Sequence, residues 1–184
     1  MKRLSFGVIC FGIAAFALSA CSPAKIEESP PPIGDFRLGH TIVSEKGSEP
    51  APISRRVEPG VVKMKLEEAI EDRLGRHKGN KWYHLAISIG AYSLSGGGIP
   101  IVASPRSGLV IEVTVWDDAA AAKLNPEPRA FTIIEPTSPE TVFGSGFVRT
   151  PEEQAEILSI SAADLIEKWL KSPESPLPGV GDPG

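Results

Sequence analysis

Two stretches of strict alternation constrain this chain more than any other feature. Across residues 82–92 the odd positions Tyr83, Leu85, Ile87 and Ile89 are apolar, while His84, Ala86, Ser88 and Gly90 are small or polar. Across residues 109–117 the odd positions Leu109, Ile111, Val113 and Val115 are again apolar, set against Glu112 and Thr114. A period of two marks an extended strand with one buried face, so the pair predicts a sheet that is dry on one side. Shorter strands are predicted at 130–135 and 141–148. A first strand is predicted over Phe36, Leu38, His40 and Ile42 as its apolar phase.

Two segments change period. Val62, Leu66, Ile70 and Leu74 recur every four residues after Pro59, with Lys63, Glu67, Glu68, Glu71 and Asp72 on the other faces. That is an amphipathic helix, predicted to close near Gly75 or Gly79. A second begins at Thr150-Pro151-Glu152-Glu153, where a capping Thr precedes Pro and a Glu stands three positions on. Its stripe is Leu158, Ala162, Leu165 and Trp169, and Pro173 forbids continuation. The order β-α-β-β-β(β)-α predicts an α+β two-layer sandwich. Its two helices lie on one face of a mostly antiparallel four- to five-stranded sheet.

Composition limits what such a domain does. The 184 residues carry 19 Lys and Arg against 23 Asp and Glu, a net charge of −4. No basic stripe is present, which excludes nucleic acid as an expected partner, because phosphate neutralisation supplies most of that affinity. Lys2 and Arg3 precede an apolar run over residues 6–18. That run is too short to span a bilayer and has the form of an export signal. Cys10 would leave with this signal, so Cys21 is the one cysteine expected in the processed chain. No disulfide or Cys-ligated metal is then expected, and an exported fold without staples rests on its core.

The signal ends in Leu18-Ser19-Ala20-Cys21. Leu, two small residues and Cys make a lipobox, and here the chain resembles a bacterial lipoprotein precursor. The resemblance implies a diacylglyceryl group on the Cys21 thiol, cleavage before Cys21 and acylation of the new amine. Several acyl chains give stable anchoring where one is marginal, so the protein is expected on a membrane through its lipid without crossing it. Ser22 in place of Asp implies sorting to the periplasmic face of the outer membrane, if the host is Gram-negative. Behind the lipobox, the element order looks like the small α/β lipoproteins of bacterial outer membranes, including the lipopolysaccharide-assembly lipoprotein that plugs its partner β-barrel. The short aromatic-and-Gly segment that often follows the lipidated Cys in that group is absent here, and no functional residue is carried over from it.

The expected organisation is a signal at 1–20, a lipidated Cys and Pro-rich tether at 21–33, one domain at 34–171 and a disordered Pro- and Gly-rich tail at 172–184. Within the domain, His40 and His84 are placed to meet on adjacent strands, but a metal would need a third ligand. His77 lies in the polar stretch Arg76-His77-Lys78-Gly79-Asn80 and reads as a surface residue. Asp117 and Asp118 read as a solvated turn rather than paired catalytic acids, since no facing carboxylate is evident. Gly144-Ser145-Gly146 lacks the flanks of a nucleophile elbow or a dinucleotide loop. No catalytic residue, cofactor or metal site is expected. The stretch 93–108 is long for a connection between strands, and such loops are often functional. Its Ile99, Ile101 and Val102 form a small apolar contact for a protein partner or a lipid-bearing ligand. The expected function is a non-catalytic, membrane-anchored envelope lipoprotein. The alternative is a lipid-tethered periplasmic hydrolase, which Ala substitution at His40, His84, Asp117 and Asp118 would separate from it.

Overall fold

The computed structural model describes residues 31–45, 49–52, 54–96, 106–136 and 149–180. The strands β1 (Phe36–Ser44), β3 (Lys81–Ser93), β4 (Gly108–Asp117) and β6 (Arg129–Ile134) form the body of one sheet. The two-residue strands β2 (Glu49–Pro50) and β5 (Ala122–Lys123) extend it beside β3 and β4. Helices α1 (Val61–Leu74) and α2 (Pro151–Leu170) pack together on one face. This is the α+β sandwich that the two hydrophobic periods predict.

Strands β3 and β4 run antiparallel along their whole length, from Tyr83 opposite Asp117 to Ser93 opposite Gly108. Strand β6 adds antiparallel to the first half of β4. The β1–β3 pair is parallel. A parallel pair needs a crossover, and α1 supplies it. The dry face carries Tyr83, Leu85, Ile87 and Ile89 of β3 and Leu109, Ile111, Val113 and Val115 of β4. Against them lie Val62, Leu66, Ile70 and Leu74 of α1 and Leu158, Ala162, Ile166 and Leu170 of α2. Each fully buried Val, Leu or Ile among them contributes about 1.5–3 kcal/mol relative to exposure. At the start of α2, the Thr150 hydroxyl accepts from the Glu153 N–H while the Glu153 carboxylate accepts from the Thr150 N–H, completing the capping box.

Three sequence expectations change. In β1 the apolar phase does not stay on one face. Gly39 and His40 together stand opposite His84, an extra residue that shifts the register between Leu38 and Thr41. Beyond this bulge Val43 points inward and Ile42 lies 64% exposed. His77 is buried, packed edge-on against Phe36, because the chain turns inward after Gly75 closes α1. The domain also extends past both expected boundaries. Ile33 sits in the core, as does Leu177 at 4% exposure, and Val180 packs against that cluster. Residues 172–180 therefore fold back onto the domain. They are held by Trp169 Nε1 donating to the Glu174 carbonyl and by an Arg129–Glu174 ion pair. The expected strand at 141–148, with Gly144-Ser145-Gly146, lies outside the described residues, as do the signal and Cys21.

Candidate interaction surface

The helices cover one face of the sheet, and its other face has no second layer among the described residues. Its centre is small and polar: Ala86 and Ser88 of β3, Glu112 and Thr114 of β4, and Ser44 of β1. With Ile42 and Pro128 these line a shallow hollow of about 190 Å³. One end of the face is different. There Trp82 is 47% exposed and Trp116 36%, and His84 in β3 stands between them, in register with Trp116. The Arg37 guanidinium lies 5.0 Å from the Trp82 ring centroid, and Lys123 pairs with Trp116 on the next strand.

His40 and His84 do meet, with stacked rings 5.1 Å apart. The bulge brings them together. The His40 N–H donates to His84 Nδ1 at 2.8 Å, and His84 Nε2 lies 3.0 Å from Asp118 Oδ1. With Nδ1 accepting, the neutral ring carries its proton on Nε2 and donates it to Asp118. A general base needs one nitrogen on a carboxylate and the other facing its substrate proton. Here the second nitrogen is occupied by the backbone. His84 is thus a clip that fastens β1 to the β4 turn. Asp117 has a similar task, its carboxylate accepting the Ala120 N–H within that turn. Among the described residues no three His, Cys, Asp or Glu side chains are grouped to hold a metal ion.

A second polar cluster joins the helices. Glu167 of α2 is 3% exposed and accepts from Arg73 Nε at 2.7 Å, Lys171 Nζ at 3.0 Å and His77 Nε2 at 2.9 Å. Burial alone would raise the Glu167 pKa. The bonds from Lys171, His77 and Arg73 outweigh it and hold the carboxyl at about 2. Burial lowers the His77 pKa in spite of the opposing bond to Glu167. Nδ1 of His77 is buried without a hydrogen-bond partner. This neutral-His, ionised-Glu arrangement ties α1 to α2, and His77 also lines a hollow of about 290 Å³ with Ile33, Phe36 and Arg76.

The third cluster joins Ser95 and Ser107, described residues on either side of 97–105. Both are buried, and the Ser95 N–H donates to the Ser107 hydroxyl at 3.1 Å. Gln154 Nε2 donates to the Ser95 carbonyl, and the Ser107 N–H donates to the Glu135 carboxylate, which pairs with Arg149. Ile99, Ile101 and Val102 themselves lie outside the described residues. Sequence reasoning missed both tryptophans, although the signal was present. Each stands in the polar phase of a strand whose other phase is apolar, which marks it as outward-facing.

These features define a class: a small α+β domain with one sheet face covered by helices and the other uncovered among the described residues. No family model and no curated protein matches the sequence. Among solved structures, the chain is similar to a candidate lipoprotein of Caulobacter crescentus at 18% identity, over 75% of this chain and 88% of that one, with a TM-score of 0.39. A candidate neuraminyllactose-binding hemagglutinin homologue from Helicobacter pylori is 9% identical over 79% and 88%, with a TM-score of 0.41. A minor lipoprotein from Acinetobacter baumannii is 14% identical over 71% and 91%, with a TM-score of 0.33. Likeness at this level assigns no family.

Proposed function

We propose that this chain is a non-catalytic lipoprotein of the cell envelope, anchored through Cys21, whose domain binds a protein partner in the periplasm. The Leu18-Ser19-Ala20-Cys21 motif behind a short apolar run supports the anchor. Ser22 favours the periplasmic face of an outer membrane. No helix among the described residues is long and apolar enough to cross a membrane.

The observation that carries the binding half is the buried polar cluster that joins Ser95 to Ser107, on either side of residues 97–105. Burying Ser95, Ser107, Gln154 and Glu135 costs free energy unless all are well bonded, and an apolar pair would close the same stems more cheaply. Such a cluster fixes where a loop begins and ends, as a contact loop on a rigid scaffold requires. Ile99, Ile101 and Val102 would supply the apolar contact. The engaged nitrogens of His84 count against the hydrolase alternative.

Crosslinking the full-length lipoprotein in its own envelope, followed by affinity purification and mass spectrometry, tests the reading. The expected result is one stoichiometric protein partner, lost when residues 96–102 are replaced by a short polar loop. Recovery of no protein above background overturns it.

A further inference from the structure

We infer that the corner of the uncovered face bearing Trp82 and Trp116 rests on the membrane that holds the Cys21 anchor, with the phospholipid headgroup layer as its occupant. The inference builds on the lipid anchor proposed above. The chain reaches the domain at Ile33, turns at Gly34 and Asp35, and enters β1 at Phe36. Phe36 is in register with Lys81, next to Trp82. Cys21 lies twelve residues before Ile33, which is at most about 40 Å of extended chain. The corner is therefore the part of the sheet closest to the lipid along the chain. Strand β3 ends at Ser93, about 35 Å from Trp82 at strand rise, so Ser95 and Ser107 lie at the opposite end of the sheet.

The chemistry of the corner suits a headgroup layer. Tryptophan is enriched where water meets hydrocarbon, because its ring is apolar and its N–H is polar. Beside the two rings stand Arg37, over Trp82, and Lys123, paired with Trp116 on the next strand. The acids of the same end are bonded within the protein. Asp35 accepts from Asn80, Asp117 from Ala120, and Asp118 pairs with His84. Cations beside interfacial aromatics favour anionic headgroups. The tether keeps the corner at high effective concentration over the bilayer, so a weak contact is enough.

Trp169, on α2 and buried under the helical layer, makes the test internally controlled. Acylated full-length protein would be reconstituted into phosphatidylethanolamine–phosphatidylglycerol vesicles with brominated acyl chains, in three variants. Each keeps one tryptophan, the other two being changed to Phe. The expected result is a blue shift and loss of emission for the chains keeping Trp82 or Trp116, weakened when phosphatidylcholine replaces the anionic lipid, with Trp169 unaffected. Flotation of the vesicles and labelled palmitate on Cys21 report the anchor separately. Chains that float while all three tryptophans stay unquenched overturn the membrane contact and leave the lipoprotein reading intact. Chains that neither float nor take up palmitate overturn both. Photocrosslinkers at 82 and 116 that capture a protein in the envelope instead of lipid also overturn the contact.

Discussion

Glu167 and His77 make the stability of this domain depend on acid in two separable steps. Burial lowers the His77 pKa below its ordinary 6.5, so below that pH the unfolded chain takes up a proton that the folded chain refuses. Stability therefore falls as the pH drops from about 6.5 through the lowered folded value. Glu167 acts further down. Its contribution is complete above the ordinary carboxylate value of 4.5 and is lost as the pH falls toward about 2. Urea midpoints measured across this range for wild type and His77→Gln should differ most near neutrality and converge as the pH falls, because Gln takes up no proton in the upper step while its amide can still donate to Glu167. Equal slopes above pH 5 would assign no role to His77. None of this is legible in the sequence. His77 sits among Arg, Lys, Gly and Asn, and its burial follows from where the chain turns after α1. The partner that makes burial tolerable, Glu167, is 90 residues away.

Bulges decide which way the elements face. The alternation of β3 and β4 is readable because both strands keep one register through most of their pairing, and the helical stripes are readable because their caps are local. In β1 the same reading fails at Gly39. A Cβ there would stand 2.5 Å from the His84 ring, so the glycine is needed for the close approach that lets His84 take the His40 N–H. Gly39→Ala should cost about 1–3 kcal/mol by overpacking. His84→Ala removes the obstruction, so the double variant should cost less than the sum of the two single variants. Additive costs in denaturant titrations would mean that the ring and the glycine are not in contact. The two tryptophans follow the same logic, since phase alone tells which side of a strand they occupy. What phase cannot tell is that their side of the sheet has no second layer among the described residues.

Across the whole molecule, the sequence makes the architecture legible and hides its edges. Pro-rich segments at both ends read as chain that does not fold, since few apolar residues offset the entropy of ordering. Single apolar residues inside them suffice to reverse this locally. Ile33 and Leu177 enter the core from opposite termini, and Val180 lies against Gly34, where an added Cβ would meet it at 3.0 Å. Truncation after Ser172 should lower the melting temperature, and Leu177→Ala alone should cost about 2 kcal/mol. A melting temperature unchanged by truncation would show the tail to be dispensable.

The parallel pairing of β1 with β3 has a mechanical meaning. A lipid-held domain pulled by a partner at its far loop would take tension at Ile33 and release it near Gly96. The pull would draw β1 out past β3 along the strand axis. The bonds of the β1–β3 ladder would then be loaded in shear and share the force, instead of opening one after another like a zipper. The bulge and the His84 clip would resist that sliding. Single-molecule extension between residues 33 and 96 should show one abrupt rupture, and a gradual peel at low force would contradict it.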